Sequence, residues 1–315
     1  MKVGLIGYGN IAKKHEKALA KIDNAELVAV YDTHWTSKPN CNTYDSLNDF
    51  LALDLDLVTV CTPNALHPIH SIKALEGGKN VLCEKPMALK LSDAEQMISV
   101  AQKSGLLLSC TMQNRFSPVS QWLKSLFKKN KLGEIYLLDI ACYWNRNIEY
   151  YKASEWRGTQ EQDGGTLFTQ FSHYVDAIMW LCGDMAILNA HLKNYDHVGM
   201  IDFEDTGIFN FKLDNGGMGT FSYTTSCYQK NFESTLTIIG SKGTVKIAGQ
   251  YMDRIEYCNL EEATIPQLPA NDNLKNIQQV YRQIQTQLTH QTTSYQSAME
   301  AKRVVQKIED VYAFR

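Results

Sequence analysis

Several groups of residues have types and spacings that could do chemistry. Gly7-Tyr8-Gly9-Asn10-Ile11-Ala12 forms a G-x-G-x-x-A run behind an apolar stretch. Such glycines allow a tight turn and bring backbone close to a pyrophosphate at a helix N-terminus. Asp32 follows Ala12 by twenty residues. A carboxylate there accepts hydrogen bonds from the adenosine ribose and repels the extra phosphate of NADP. The pattern predicts NAD binding at Gly7, Gly9, Asn10, Ile11, Ala12 and Asp32. The plainer reading is a turn in a nucleotide-free sheet.

Three further groups lie at the ends of apolar runs: Cys61-Thr62-Pro63-Asn64 with His67, Cys83-Glu84-Lys85-Pro86, and Thr111-Met112-Gln113-Asn114-Arg115-Phe116. Ligands of open parallel sheets bind at such carboxyl ends. Lys85 stands before proline, which favours extended backbone. Beside an oxidised nicotinamide its pKa should fall, which suits proton exchange near neutral pH. A surface lysine in a turn is the other reading. The block from Asp163-Gly164-Gly165 to Asp176 places Thr166, Thr169, Gln170 and His173 on one helical stripe. Asp176 lies three residues after His173 and could orient its imidazole. A polar ligand could satisfy this stripe, and so could a core histidine bonded to a carbonyl. Arg115, Arg146 and Arg157 have the forked geometry that suits carboxylate and phosphate. Trp144, Tyr150, Tyr151 and Trp156 suit stacking on a sugar or base, or packing.

The elements that would position these groups change character along the chain. Strand-like runs at Lys2–Ile6, Glu26–Tyr31, Leu57–Cys61, Asn80–Cys83 and Leu106–Thr111 alternate with helical segments at Ile11–Ala20, His67–Gly77 and Ser92–Ser104. That alternation predicts right-handed crossovers and a parallel sheet. Ser92-Asp93-Ala94-Glu95 has a capping-box form. From about residue 119, a helix at Ser120–Lys129 leads to a strand at Glu134–Trp144 and a long helix at Thr166–Cys182. Strands at Asp205–Lys212, Gly217–Tyr223, Phe232–Ile239 and Gly243–Ile247 then predict an antiparallel meander. A helix at Tyr295–Tyr312 closes the chain, while 261–276 has no assignment. We expect two domains, 1–118 and 119–315.

Composition narrows the function classes. With 31 Lys plus Arg against 34 Asp plus Glu, the net charge of −3 gives no global attraction to nucleic acid or anionic membrane. No apolar run has the length of a membrane span, and no signal peptide is read, so a cytoplasmic location is expected. The 8 cysteines form no C-x-x-C pair and read as buried hydrophobes, with no metal site.

Taken together, G-x-G-x-x-A, Asp32, Thr62-Pro63-Asn64, Glu84-Lys85-Pro86 and Gly164-Gly165…His173…Asp176 resemble the glucose–fructose oxidoreductase/inositol dehydrogenase (Gfo/Idh/MocA) family. The resemblance runs from residue 1 to about 250. It implies an α/β protein with an N-terminal Rossmann doubly wound parallel sheet and a C-terminal α+β domain with a large open antiparallel sheet, through which members form dimers or tetramers. It also implies NAD-dependent chemistry at a sugar or cyclitol hydroxyl. Lys85 and His173 match the catalytic lysine and histidine. Thr62, Pro63 and Asn64 match the loop beside the nicotinamide ribose, and His67, Glu84, Lys85 and Gln113 join the expected cofactor contacts. Lys85, Asn114, Arg115, Arg157, Thr169, Gln170 and His173 are the expected substrate contacts. Many members carry aspartate where this chain has Thr169, which places more of the acid–base work on Lys85.

Within the family, Gln113-Asn114-Arg115-Phe116, Tyr143-Trp144-Asn145-Arg146, Glu155-Trp156-Arg157-Gly158-Thr159 and Gln170…Ser172-His173-Tyr174-Val175-Asp176 resemble the UDP-N-acetylglucosaminuronate 3-dehydrogenases of surface-polysaccharide biosynthesis. The Gln/Thr-rich run from Gln278 to Gln296 departs from the regular helix, glycine-bearing loop and second helix expected there. Dehydrogenation of another sugar or inositol, imine reduction, and a non-catalytic NAD- and sugar-binding regulator are the competing readings.

Overall fold

In the computed structural model, which describes residues 1–261 and 266–315, the chain divides into two compact units. Unit 1 comprises Met1–Gln113 and Leu274–Val305, and unit 2 comprises Asn114–Asn273 and Gln306–Arg315. This division departs from the expected boundary. Residues 274–305 rejoin the first unit because the helix that begins at Asn273 buries Ile277, Val280, Tyr281 and Ile284. Each such side chain contributes about 1.5–3 kcal/mol relative to exposure.

Unit 1 is built on a six-stranded parallel sheet. Its strands are β1 (Lys2–Ile6), β2 (Glu26–Tyr31), β3 (Asn42–Tyr44), β4 (Leu57–Val60), β5 (Asn80–Cys83) and β6 (Leu108–Cys110), in the order β3-β2-β1-β4-β5-β6. The order reverses beside β1, and β1 and β4 lead to the glycine run and to Thr62. This is the switch point at which open sheets take ligands. The fully buried pattern of β4 follows from helices covering both faces. Helices α1 (Asn10–Leu19), α2 (Leu47–Leu51), α3 (His67–Glu76) and α4 (Leu91–Ser104) connect the strands. The capping box does not form: α4 starts after Lys90, with no side-chain cap, and Ser92 lies inside the helix.

Unit 2 opens with α5 (Pro118–Lys128), capped by Ser117, whose hydroxyl accepts the Ser120 amide. Its sheet has seven strands: β7 (Ile135–Tyr143), β8 (Met185–Lys193), β9 (Thr206–Leu213), β10 (Met218–Thr224), β11 (Glu233–Gly240), β12 (Gly243–Ala248) and β13 (Arg254–Leu260). The order is β13-β12-β11-β7-β10-β9-β8. The expected meander is therefore interrupted. Strand β7 inserts between β10 and β11, parallel to the former and antiparallel to the latter. One face is aromatic and buried, with Phe209 and Phe221 centroids 5.1 Å apart. The other exposes Leu188, Ile208 and Met218.

Between β7 and β8 stand α6 (Ile148–Lys152) and α7 (Ser172–Cys182). A π-helical turn at Leu167–Phe171 precedes α7, so the predicted single α-helix is broken at Phe171. After β13 come α8 (Asn273–Thr289) and α9 (Gln296–Tyr312). The Gln/Thr-rich run is thus helical through Thr289. Within the unassigned stretch, 262–265 lie outside the described residues.

Candidate active site

The glycine run joins β1 to α1. Gly7 has a φ of 88°, and a Cβ there would come within 2.9 Å of the Cys61 backbone, so only glycine fits. Gly9 caps α1 with no side-chain bond to the first-turn amides, and Gly9 and Asn10 are exposed. The cradle fits a dinucleotide pyrophosphate, because it combines a helix N-terminus with close backbone. Asp32 sits at the end of β2, where its carboxylate accepts the Tyr8 amide at 2.6 Å and the His34 amide at 2.7 Å. It therefore fixes the glycine loop as well as standing at the expected ribose position.

Thr62 and Pro63 are half-buried, and Asn64 is buried in a 3-10 turn. His67 differs from its expected role as a cofactor contact. Its ring is buried, with Nδ1 2.7 Å from the Pro86 carbonyl and Nε2 2.9 Å from the Thr62 carbonyl. Both nitrogens are occupied, so His67 ties the loop after β4 to the turn after β5. Burial pulls its pKa down, against the two carbonyls and Glu84. His70, unnoticed in the sequence, is lowered to about 4 by burial and then by His67 and Lys73. Its Nδ1 lies 3.2 Å from the Thr62 hydroxyl.

Glu84 and Lys85 follow β5, and the Lys85–Pro86 peptide is cis. Lys85 is half-buried, whereas Glu84 is buried. One Glu84 oxygen lies 2.8 Å from His15 Nε2, and the other accepts the Lys85 amide at 3.1 Å. Gln113 ends the first segment of unit 1, buried, with its side-chain oxygen unbonded among the described residues.

In unit 2 the stripe is reorganised by the π turn. Thr166 is buried and donates to the Glu204 carbonyl at 2.5 Å. Gly165, at a φ of 136°, meets Tyr312, whose hydroxyl accepts the Leu167 amide at 3.0 Å. The glycine pair is thus needed where the π turn docks on the end of the chain. Thr169 donates to the buried carboxylate of Asp163, which also accepts the Gly158 amide at 2.8 Å. His173 is half-buried at the start of α7. Asp176 does not serve it in the way expected. The Asp176 carboxylate is gripped at both oxygens by Arg115, whose Nε is 2.8 Å away. Arg115 also stacks over Trp180, 5.6 Å from the centroid. This expected substrate contact is an internal ion pair. Asn114, beside it, is buried, with both amide atoms unbonded among the described residues.

A second cluster gathers around Tyr150, the third residue of α6. Arg146 and Arg157 both lie over its ring, 5.1 and 4.5 Å from the centroid. Gln170 links Arg146 to Tyr150, accepting from Arg146 Nε at 2.9 Å and donating to the Tyr150 hydroxyl at 2.7 Å. Arg157 donates to the Tyr150 carbonyl at 3.2 Å. Among the described residues, neither guanidinium is paired with a carboxylate. Burial lowers the Arg146 pKa, against the neighbouring tyrosines. The cluster is held from below by His197, whose Nε2 is 2.7 Å from the Arg146 carbonyl and whose Nδ1 is 3.1 Å from Asp205. Trp144 and Tyr151 are buried packing: Trp144 abuts Phe171 at 4.8 Å, and Tyr151 packs with Ile201 and Phe203. His197 and Asp205 were invisible to sequence reasoning because they belong to no motif, and the helical stripe did not pair Thr169 with Asp163 of its own block.

Known family models match both parts of the chain. Residues 1–112 match the family model described as oxidoreductase family, NAD-binding Rossmann fold, and residues 120–246 match the GFO/IDH/MocA C-terminal domain. The chain is similar to the WlbA dehydrogenase of Bordetella pertussis, whose structure is a complex with NADH and UDP-GlcNAcA. The two are 30% identical with a TM-score of 0.89, covering 100% of this chain and 96% of that one. The WlbA dehydrogenase of Chromobacterium violaceum, in complex with the same two ligands, is 31% identical with a TM-score of 0.88, covering 100% and 93%. Glucose-6-phosphate 3-dehydrogenase of Bacillus subtilis is 32% identical over 189 residues, which is 57% of this chain and 53% of that protein. The chain thus spans about half the length of that curated relative.

Proposed function

Because the chain belongs to the GFO/IDH/MocA oxidoreductase family, we propose that it oxidises a secondary hydroxyl of an anionic sugar with NAD, at carbon 3 of a UDP-N-acetylhexosaminuronic acid. The observation that carries the substrate class is the pair of guanidiniums on Tyr150. Two half-buried cations with no carboxylate partner among the described residues suit a ligand that brings negative charge of its own. A uronate or a diphosphate supplies it. The likeness to two dehydrogenases bound to NADH and UDP-GlcNAcA supports the same choice. The likeness to a glucose-6-phosphate 3-dehydrogenase favours a second reading, in which a sugar phosphate is oxidised.

Bound NAD would lie on Gly7, Gly9, Asn10, Ile11, Ala12 and Asp32, beside Thr62-Pro63-Asn64, and would supply the hydride acceptor. Lys85 takes the hydroxyl proton, and the turn held by His67 and Glu84 fixes where its chain begins. His173 is the second catalytic residue that the family resemblance implies. Thr169 and Gln170, held by Asp163, Arg146 and Tyr150, line the sugar site. Positioning and proton transfer supply the rate. The exposed apolar face of the seven-stranded sheet suits pairing with a second copy of the chain.

The experiment is a substrate panel with NADH formation as readout: UDP-N-acetylglucosaminuronate, UDP-N-acetylglucosamine, glucose 6-phosphate and inositol. Turnover of the uronate alone supports the first reading, and turnover of glucose 6-phosphate alone the second. NAD binding without turnover of any member would instead favour a regulator. Lys85→Met should abolish turnover while NAD still binds, since acid–base help is worth about 100- to 10,000-fold. A variant that keeps most of its rate would remove Lys85 from the chemistry.

A further inference from the structure

We infer that His15 and Tyr281 are positioning residues for the turn that carries Lys85, acting through Glu84. The inference rests on the assignment of Lys85 made above. Four buried groups of unit 1 form one hydrogen-bonded chain. Thr59 Oγ1 lies 3.0 Å from the Tyr281 hydroxyl, and that hydroxyl lies 2.9 Å from His15 Nδ1. His15 Nε2 is 2.8 Å from Glu84 Oε1, while Glu84 Oε2 accepts the Lys85 amide at 3.1 Å. Thr59, His15 and Tyr281 are fully buried, and Glu84 is 4% exposed. They come from β4, from α1, from α8 and from the end of β5.

The terminal carboxylate gives the chain a direction. Glu84 ionised can only accept, so His15 donates from Nε2. Its Nδ1 then accepts from Tyr281, and the Tyr281 oxygen accepts from Thr59. Burial holds the Tyr281 phenol well above its ordinary range, so it keeps the proton it donates. Every member thus has a role that fits its neighbours, and a satisfied buried network fixes its members tightly. Its last acceptor anchors the backbone of Lys85. The same imidazole sits on α1, the helix that the glycine run opens, and the same threonine sits on β4, which leads to Thr62. One network therefore registers three segments of the cofactor site, and α8 completes it from more than two hundred residues downstream.

A purely structural network would stabilise unit 1 without affecting how Lys85 titrates. The test separates these roles. The NAD-loaded protein is labelled with carbon-13 at lysine Cε, and Lys85→Met assigns the Lys85 resonance. Its pH titration is followed in Tyr281→Phe, which deletes one hydroxyl at constant shape, and in two His15 variants. His15→Gln can keep a donor near the Nε2 position, whereas His15→Asn cannot reach Glu84. Without that donor the Glu84 charge is less compensated, so the Lys85 pKa should rise by about half a unit or more in His15→Asn. His15→Gln should restore it, and Tyr281→Phe should give a smaller rise. In turnover, kcat should fall several-fold in His15→Asn with KM unchanged. An unaltered Lys85 titration in folded His15→Asn overturns the inference, and Tyr281→Phe decides if that variant does not fold. The underlying assignment fails separately, if Lys85→Met retains turnover.

Discussion

The Thr169 hydroxyl donates to the carboxylate of Asp163, six residues earlier in the chain. The family resemblance leads one to expect an aspartate at the threonine position. Here a carboxylate reaches the same hydroxyl from the loop before the π turn, and it is 1% exposed. The threonine is therefore the tip of a carboxylate-backed pair. Thr169→Val keeps the volume and deletes the hydroxyl. It should lower kcat about tenfold, equivalent to about 1.4 kcal/mol of barrier, with NAD affinity unchanged. Asp163→Asn should lower kcat as well, and should also cost about 1–3 kcal/mol of stability by weakening the buried bond to Gly158. Equal kcat in wild type and Thr169→Val would show that the pair has no part in the reaction.

Arg115 yields the opposite expectation from a substrate contact. Its partner Asp176 is 2% exposed and held at both oxygens. Arg115→Met leaves that carboxylate buried and uncompensated, a loss of about 3–5 kcal/mol. Urea unfolding should show it. Adding Asp176→Leu should recover much of the loss, because removing both charges leaves nothing unpaired. If Arg115→Met instead raised only the KM and left stability intact, the ion pair would be incidental.

The fold was legible wherever pattern and local chemistry agree. Strands β1, β2 and β5 match their expected limits, and Gly7 and Asp32 take the places their motif demands. What stayed hidden depends on contacts between distant residues. Nothing local tells Asp176 to choose Arg115 over His173, since both lie within reach on a helix or in a loop. The π turn at Leu167–Phe171 inserts a residue's worth of rotation that an α-helical wheel cannot anticipate. Strand β7 enters the middle of the sheet because its paired residues lie 81 positions away on β10 and 90 to 105 away on β11, beyond any hairpin rule. His67 looked like a ligand because it follows a strand end. Its two carbonyl partners come from separate loops.

Asp32 has two roles that one variant can separate. Its carboxylate disfavours the 2′-phosphate of NADP and accepts the Tyr8 amide. Asp32→Asn removes the charge and keeps an acceptor for the loop. The ratio of kcat/KM for NADP over NAD should rise by about tenfold or more, as removal of about 1.4 kcal/mol of discrimination implies. An unchanged ratio would place the adenosine ribose away from position 32.

Arg157 should contribute to binding rather than to rate. Its guanidinium is organised on Tyr150 before any ligand arrives, and a hydrogen bond to a charged group is worth about 1.5–3 kcal/mol. Arg157→Met should therefore raise KM for UDP-N-acetylglucosaminuronate about 10- to 100-fold with kcat kept, and should flatten its salt dependence. A neutral sugar that is turned over should be unaffected. A fall in kcat alone would move Arg157 from the substrate to the reacting centre.

The support beneath that cluster makes stability depend on pH at both ends. Burial of His197 would lower its pKa, but the hydrogen bond it donates to Asp205, the Arg146 carbonyl and nearby acids outweigh burial and raise it. Burial would raise Asp205, but His197, the Asp196 amide and Thr206 hold it well below the carboxylate range. A raised histidine binds its proton more tightly folded than unfolded. Its contribution is complete below 6.5 and is lost as pH rises through the folded value. A depressed aspartate contributes above 3.8, and that contribution is lost as pH falls through its folded value. Between these limits the pair is fully ionised and stability is flat with respect to it. Urea unfolding from pH 5 to 9 should show an alkaline decline in wild type that is reduced in His197→Gln. Because the imidazole also holds the Arg146 carbonyl, that variant should weaken binding of the anionic sugar at every pH. Parallel alkaline slopes in the two proteins would mean that the proton on His197 is not linked to folding.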